Sequence, residues 1–459
     1  MRPSPPPWVD AALYGVSAVL AFVSGRFDGI PLQADWGRTA FIPYAAAAGL
    51  AAAAALAWAR VPARAGFRIR AGLAAFVVAG AVVVPLAVEV GARAAEGRHL
   101  HAQSEAILVE EAAAALLRGE NPYAASYEHG PLASWPKGTA LHFVYEPASI
   151  LLGLPHVAAS GAAGDMRVLS FAATAAVTAL ALAGSRAPAH RRVWAALLVV
   201  GLPTGARGLV GGSLDPLVLA MALQSLVLLE RRRPVGAGLV AGLAGAVKQI
   251  AWPLIPFLVL AARGRDDRPA RGRTLLAAVG LMAAVILPFL AWDPQDFVED
   301  TVAFPLGLAE LPTQAADTTL GGLLRSTLGS GPGTVVILAL LGAAAVLLFR
   351  RPPRTASGAS ERAAALLVAA IALAPAGRVG YVVYPLCLFA WSRWVLARDV
   401  VSGLDEDRNP LDGVVRVPTE VPGGVEGLGP ARRVGGPDAQ DAIAGGGDPP
   451  DGPSPPRVG

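Results

Sequence analysis

The sequence predicts an all-α polytopic membrane protein, and three observations carry that expectation. Of 459 residues, 54% are hydrophobic and 16% charged, where a soluble domain holds about a quarter charged residues. Apolar runs of roughly 15 to 20 residues recur along the chain, close to what a helix needs to cross a hydrocarbon layer about 30 Å thick. Most of these runs end in arginine clusters or turn residues, the punctuation of a chain that crosses repeatedly.

In order, the runs are 9–24, 41–59, 72–92, 167–184, 193–206, 213–229, 235–249, 250–263, 274–292, 332–349, 361–375 and 379–397, about twelve transmembrane helices. The first has the length of a signal peptide but no clear small-x-small cleavage site, so it is read as a retained anchor. Residues 1–71 then hold two N-terminal helices and 72–397 the main membrane domain. Residues 398–459, dense in Gly, Pro and Asp, predict a disordered cytoplasmic tail. No internal repeat is evident, which weighs against a transporter of duplicated halves.

Net charge is +4, with only two lysines, Lys137 and Lys248. In a membrane chain this basic balance reports topology rather than nucleic-acid binding. Arginine clusters at 60–70, 186–192, 231–233, 263–273 and 350–354 are placed on the cytoplasmic side, because short loops rich in arginine are retained there. Residues 98–163 then form an outer loop, and Phe143 to Ala163 lies along the outer membrane face or dips into it instead of crossing. The single cysteine, Cys387, rules out a disulfide framework and a cysteine metal cluster.

The polar interval Arg98 to Pro155 is the longest in the chain. Within it, residues 105–117 predict an amphipathic interfacial helix with Glu105, Val109, Ala112 and Leu116 on one side, stopped by Gly119. Asn121-Pro122-Tyr123 follows as turn chemistry. Glu105, just outside a span, has the placement of a general base toward a hydroxyl, and equally that of a solvated loop acid. Glu110 and Glu111 carry the same claim in another register.

Asp215 opens an apolar run after Gly-Gly-Ser, so it is either a helix cap at the positive end of the dipole or a functional acid. Lys248 interrupts two apolar runs, where burying an ammonium costs about 2.5 to 3.5 kcal/mol, and this calls for an anionic partner. Arg207 and Arg378 fall on the outer side, against the positive-inside bias. Together with Lys248 they suggest a phosphate site, since the guanidinium fork matches phosphate geometry. His99, His101 and Glu105 have helical spacing, with His129 and His142 elsewhere in the loop, but no HExxH-like core supports a metal. No nucleotide-binding or nucleophile-elbow motif occurs in a fitting context.

An acid after an early span, an Ala/Leu helix ending in Gly-Glu-Asn-Pro-Tyr, and the Phe143-Val-Tyr-Glu-Pro stretch together resemble the C-type membrane glycosyltransferases, specifically glycosyltransferase family 87. The likeness continues through GGSLDPLVLAMALQSLVLLERRRPVGAGLVAGLAGAVKQIAWPLI and covers roughly Leu73 to Ala397. The resemblance implies transfer of a hexose, typically mannose, from a polyprenyl-phosphate donor to a lipid or glycan acceptor on the extracytoplasmic face of the plasma membrane, in cell-envelope glycolipid synthesis. Such enzymes use a loop aspartate as base; counting back from Gly119 puts Glu105 there, one methylene longer. The resemblance further assigns Asp215 to the catalytic pair and Lys248, Arg378 and Arg207 to the donor phosphate. Asn121, Tyr123, His142, Tyr145, Glu146 and Tyr381 become substrate contacts, and no cofactor or metal is required. Two rival classes remain open from the residues themselves, a lipid-linked sugar flippase or transporter and a noncatalytic envelope scaffold.

Overall fold

In hydrocarbon every backbone amide must be satisfied within its own segment, so the apolar runs become helices. The structure, a computed structural model, describes residues 6–96, 101–262, 267–311, 319–375 and 379–396, and no strand occurs among them. The first half comprises α1 (Trp8–Phe27), α2 (Pro31–Leu56), α3 (Ala65–Glu96), α4 (Ser104–Leu117), α5 (Ile150–Ala158), α6 (Met166–Gly184) and α7 (Ala189–Gly211). The second comprises α8 (Asp215–Glu230), α9 (Pro234–Val247), α10 (Leu254–Ala261), α11 (Asp267–Trp292), α12 (Leu320–Leu328), α13 (Ser330–Phe349), α14 (Ala356–Leu373) and α15 (Val383–Trp394).

Among the described residues, eight helices are long and apolar enough to cross a membrane: α1, α2, α3, α6, α7, α11, α13 and α14. The expectation of about twelve is therefore not met at full crossing length. The runs 213–229, 235–249, 250–263 and 379–397 fold as helices of 16, 14, 8 and 12 residues. At 1.5 Å per residue the longest of these reaches only about 24 Å. The causes are local: the Arg231–Arg233 turn and Pro234 separate α8 from α9, and an extended Lys248 followed by a short 3₁₀ turn separates α9 from α10.

The two N-terminal helices are part of the common core, a single cluster of buried side chains that includes Tyr14 of α1 and Tyr44 of α2. Each long partner helix they meet carries a π-bulge, α3 at Ala79–Val83 and α7 at Leu197–Gly201. A bulge disturbs the helical hydrogen-bond ladder, and α2 supplies side-chain donors at both places. Trp36 Nε1 donates to the Ala81 carbonyl at 2.9 Å, and the Tyr44 hydroxyl to the Gly201 carbonyl at 2.7 Å. Arg70, counted above among the topological arginines, is fully buried and pairs with Asp10 of α1 at 2.9 Å, while Trp194 Nε1 donates to the same carboxylate at 3.1 Å.

α4 departs from the interfacial amphipathic helix expected. Glu105 to Glu110, Ala112, Ala113 and Ala115 are all buried, so protein covers it on nearly every side. The close cover depends on Gly153 of α5, where a Cβ would stand 2.3 Å from the Val109 carbonyl oxygen. Gly119 ends α4 as expected, at φ +79°, with Gly119 N bonded to Leu116 O and Glu120 N to Ala115 O at 3.0 Å each. The predicted tail, 398–459, lies outside the described residues.

Candidate active site

Glu105 stands in the first turn of α4, and its Oε1 accepts from the Leu214 backbone amide at 3.0 Å and from Lys248 Nζ at 2.9 Å. The same ammonium reaches Asp215 Oδ1 at 2.6 Å, and that oxygen also accepts from the Tyr384 hydroxyl at 2.7 Å. Lys248 is thus the anion-seeking buried lysine the sequence suggested, and its partners are the two candidate acids. Its side chain is 9% exposed, and the Tyr145 ring lies 5.5 Å from Nζ. A buried ammonium needs such pairing to offset desolvation.

Local chain geometry makes the meeting. α9 ends at Val247, Lys248 turns to an extended conformation, and the side chain is freed from the helix. Gly212, at φ +96°, closes α7 and leads into Ser213 and Asp215; a Cβ there would approach Ala106 of α4 to 2.6 Å. Asp215 is the first residue of α8, and its carboxylate goes to Lys248 and Tyr384, so the helix-cap alternative is replaced by an ion pair. Glu105 Oε1 and Asp215 Oδ1 are thus the oxygens that hold Lys248, and the Ser213 side chain also hydrogen-bonds to the Asp215 carboxylate. With two carboxylates and one ammonium the cluster carries a formal charge of −1, so a donor phosphate would need further cations.

The other expected residues divide into neighbours of this cluster and residues turned elsewhere. Tyr145 is a neighbour through Lys248, and the next residue along from Lys248, Gln249, donates to the Val144 carbonyl at 3.2 Å. Tyr381 is half-buried on the short turn Val379–Val382 leading into α15. Tyr123 is buried among Phe143, Phe289 and Phe297, and its hydroxyl holds the Tyr145 carbonyl at 2.9 Å. Asn121 Oδ1 accepts from the Tyr123 amide, shaping the turn.

His142, by contrast, is committed to Asp300: Nδ1 lies 2.6 Å from Oδ1, the Phe143 amide donates to Oδ2 at 2.8 Å, and the ring stacks on Phe304. Arg207 turns to Asp28 and Gln33 of the α1–α2 turn, away from the acids. Arg378 and His99 lie outside the described residues. His101 sits between Glu89 and Glu96, at 2.9 and 3.0 Å, which removes it from a metal set with Glu105. No group of three or more His, Cys, Asp or Glu side chains suited to a metal occurs among the described residues.

Glu110 is no second base. It lies beneath the site, bonded to Arg93 at 2.7 and 3.0 Å and to the Met166 amide at 3.0 Å, with His156 3.3 Å away. Arg93 also meets Asp165, which binds Arg167, and Arg167 donates to the His101 and Val210 carbonyls. This network ties α3, α4, α6 and α7 together behind Glu105.

Glu146 is 1% exposed, and neither of its oxygens has a hydrogen-bond partner. Burial alone pushes its carboxyl from 4.5 up to about 8.

Tyr384 and Asp300 escaped the sequence reading. Tyr384 had a signal, lying one helical turn from Tyr381 in Tyr-Val-Val-Tyr; Asp300, one of several acids between Asp293 and Glu310, had none.

No curated protein matches the chain. A family model, glycosyltransferase family 87, matches residues 143–399, more than half the chain. The matched stretch contains Asp215, Lys248 and Tyr384, while Glu105 reaches the cluster from outside it. A helical membrane protein whose matched segment supplies most of a buried acid–lysine cluster, this chain belongs to glycosyltransferase family 87 and is a membrane glycosyltransferase.

Proposed function

We propose that the protein moves a hexose, mannose by family precedent, from a polyprenyl-phosphate sugar to a hydroxyl of a lipid or glycan acceptor. The reaction takes place on the extracytoplasmic face of the plasma membrane and serves cell-envelope glycolipid synthesis. One observation carries this reading: Glu105 and Asp215 are brought together across Lys248, at 2.9 and 2.6 Å from its ammonium.

Glu105 takes the proton of the acceptor hydroxyl as its oxygen bonds to the anomeric carbon. The bond from that carbon to the phosphate oxygen breaks, and polyprenyl phosphate leaves. Lys248 orients both acids, and with Arg378 it is the cation proposed to meet the departing phosphate, charge that develops in the transition state. Asp215, held by Tyr384 and Lys248, steadies the ammonium. Tyr145, Glu146, Asn121, Tyr123 and Tyr381 shape the substrate side, while His142 acts through Asp300. Arg207, turned to Asp28, is left out of the donor site. No cofactor or metal enters the proposal.

The test supplies membranes with radiolabelled polyprenyl-phosphate mannose and follows label into lipid and glycan. Glu105→Gln keeps size but cannot accept the proton, so kcat should fall about 10² to 10⁴-fold with normal folded yield. Transfer at the wild-type rate by Glu105→Gln, together with loss in Asp215→Asn, would move the base to Asp215. Labelled donor appearing across the bilayer without a transfer product would favour a flippase.

A further inference from the structure

Where α1 and α2 turn, they face α7 across an open cleft of about 460 Å³. Its lining includes Leu20, Val23, Phe27, Trp36, Asp28 and Arg207. The turn joins two helices of crossing length, so it sits at a membrane boundary. Leu20, Val23 and Phe27 are exposed large apolar side chains on the approach, suited to an acyl chain.

Two opposite charges stand at the cleft's polar end. Arg207 Nη1 and Asp28 Oδ2 are 3.5 Å apart, with side chains 42% and 18% exposed. This pair is loose beside the buried Arg93–Glu110 contact of 2.7 Å, and both members remain accessible. Asp28 is fixed in place: Ser24 Oγ donates to Oδ2 at 3.3 Å and the Ile30 amide to Oδ1 at 3.2 Å. Gln33 Oε1 accepts from Arg207 Nη2. Arg26, the nearest other cation on α1, lies over the Phe27 ring, 5.9 Å away, and is not part of the lining.

From this geometry we propose that the cleft binds the headgroup of a zwitterionic aminophospholipid, with the phosphate on Arg207, the primary ammonium on Asp28 and an acyl chain along Leu20, Val23 and Phe27. Charge complementarity selects the occupant. A guanidinium meets a phosphate with paired donors, and a carboxylate meets an ammonium with charge-assisted hydrogen bonds. An anionic lipid without an amine would place its phosphate beside Asp28 with no compensating contact. A quaternary choline headgroup has no N–H to give Asp28.

The experiment titrates the full-length protein in detergent with synthetic phosphatidylethanolamine, phosphatidylcholine, phosphatidylglycerol and undecaprenyl phosphate, reading bound lipid by native mass spectrometry. Wild type should favour phosphatidylethanolamine over each of the others by about tenfold, one charge-assisted bond's worth of selectivity. Arg207→Ala should lose that binding and Arg207→Lys keep it in weakened form. Asp28→Asn, which retains the cation alone, should turn the preference toward phosphatidylglycerol. If Arg207→Ala does not fold, the Lys and Asn variants decide. Equal or tighter binding of phosphatidylglycerol or undecaprenyl phosphate by wild type would overturn the proposal, as would an unchanged preference in Asp28→Asn.

Discussion

Glu146→Gln should stabilise the protein, and the gain should grow with pH. The Glu146 carboxyl is buried with neither oxygen hydrogen-bonded, and it titrates at about 8 instead of 4.5. The folded protein therefore prefers the neutral acid, whereas the unfolded chain ionises freely. Folded stability is fullest below the ordinary carboxyl range and falls as pH rises toward the folded value, each pH unit between the two costing about 1.4 kcal/mol. From pH 5 to pH 7 the loss comes to roughly 2 to 3 kcal/mol. A glutamine has the same size and no proton to lose, so this slope should vanish in the variant. Thermal unfolding of detergent-purified protein at half-unit steps from pH 5 to 8.5 measures the difference. Wild type and variant should converge near pH 5 and separate steadily above it. Parallel curves across the range would refute the idea that an unpaired buried carboxyl sets this dependence.

Glu110→Gln should destabilise markedly, by about 3 to 5 kcal/mol as for other broken buried pairs, because Arg93 loses the charge of its partner on α4 and one of the two oxygens it binds becomes an amide nitrogen; an unchanged melting temperature would count against the network behind Glu105. Tyr384→Phe should lower kcat roughly 10- to 100-fold with normal yield, the worth of a hydrogen bond to a charged group, and wild-type turnover would show that Asp215 needs no such restraint. In a Cys387→Ser background, cysteines at the exposed Ser126 and Ser326 should react with an impermeant thiol reagent in intact cells while Arg351→Cys stays protected. The reverse pattern would invert the topology.

Some features of this chain are dictated by neighbours in sequence, and those were legible without coordinates. Apolar length predicts helices in a bilayer. Gly119 marks the end of α4 because a left-handed residue is needed there, and the Asp215 and Lys248 motifs that suggest the family lie inside the stretch its model matches. Other features depend on what faces a residue across the fold. Lys248 meets Glu105 from 143 positions away and Tyr384 meets Asp215 from 169 away, distances over which periodicity carries no information. The same holds for the placing of charge: Arg70 reads as a topological marker, yet it is buried against Asp10, and Arg207 reads as a ligand of the donor phosphate, yet it turns to Asp28 at the α1–α2 turn. α4 reads as amphipathic because Glu105, Val109, Ala112 and Leu116 share one side by helical spacing, but carboxylates with cationic partners, Glu105 and Glu110, pack as inside residues. Sequence thus set the helices and the chemical types on them, while tertiary packing decided which charges are paired and which stay exposed, since that pairing is a property of three-dimensional proximity and solvent exclusion.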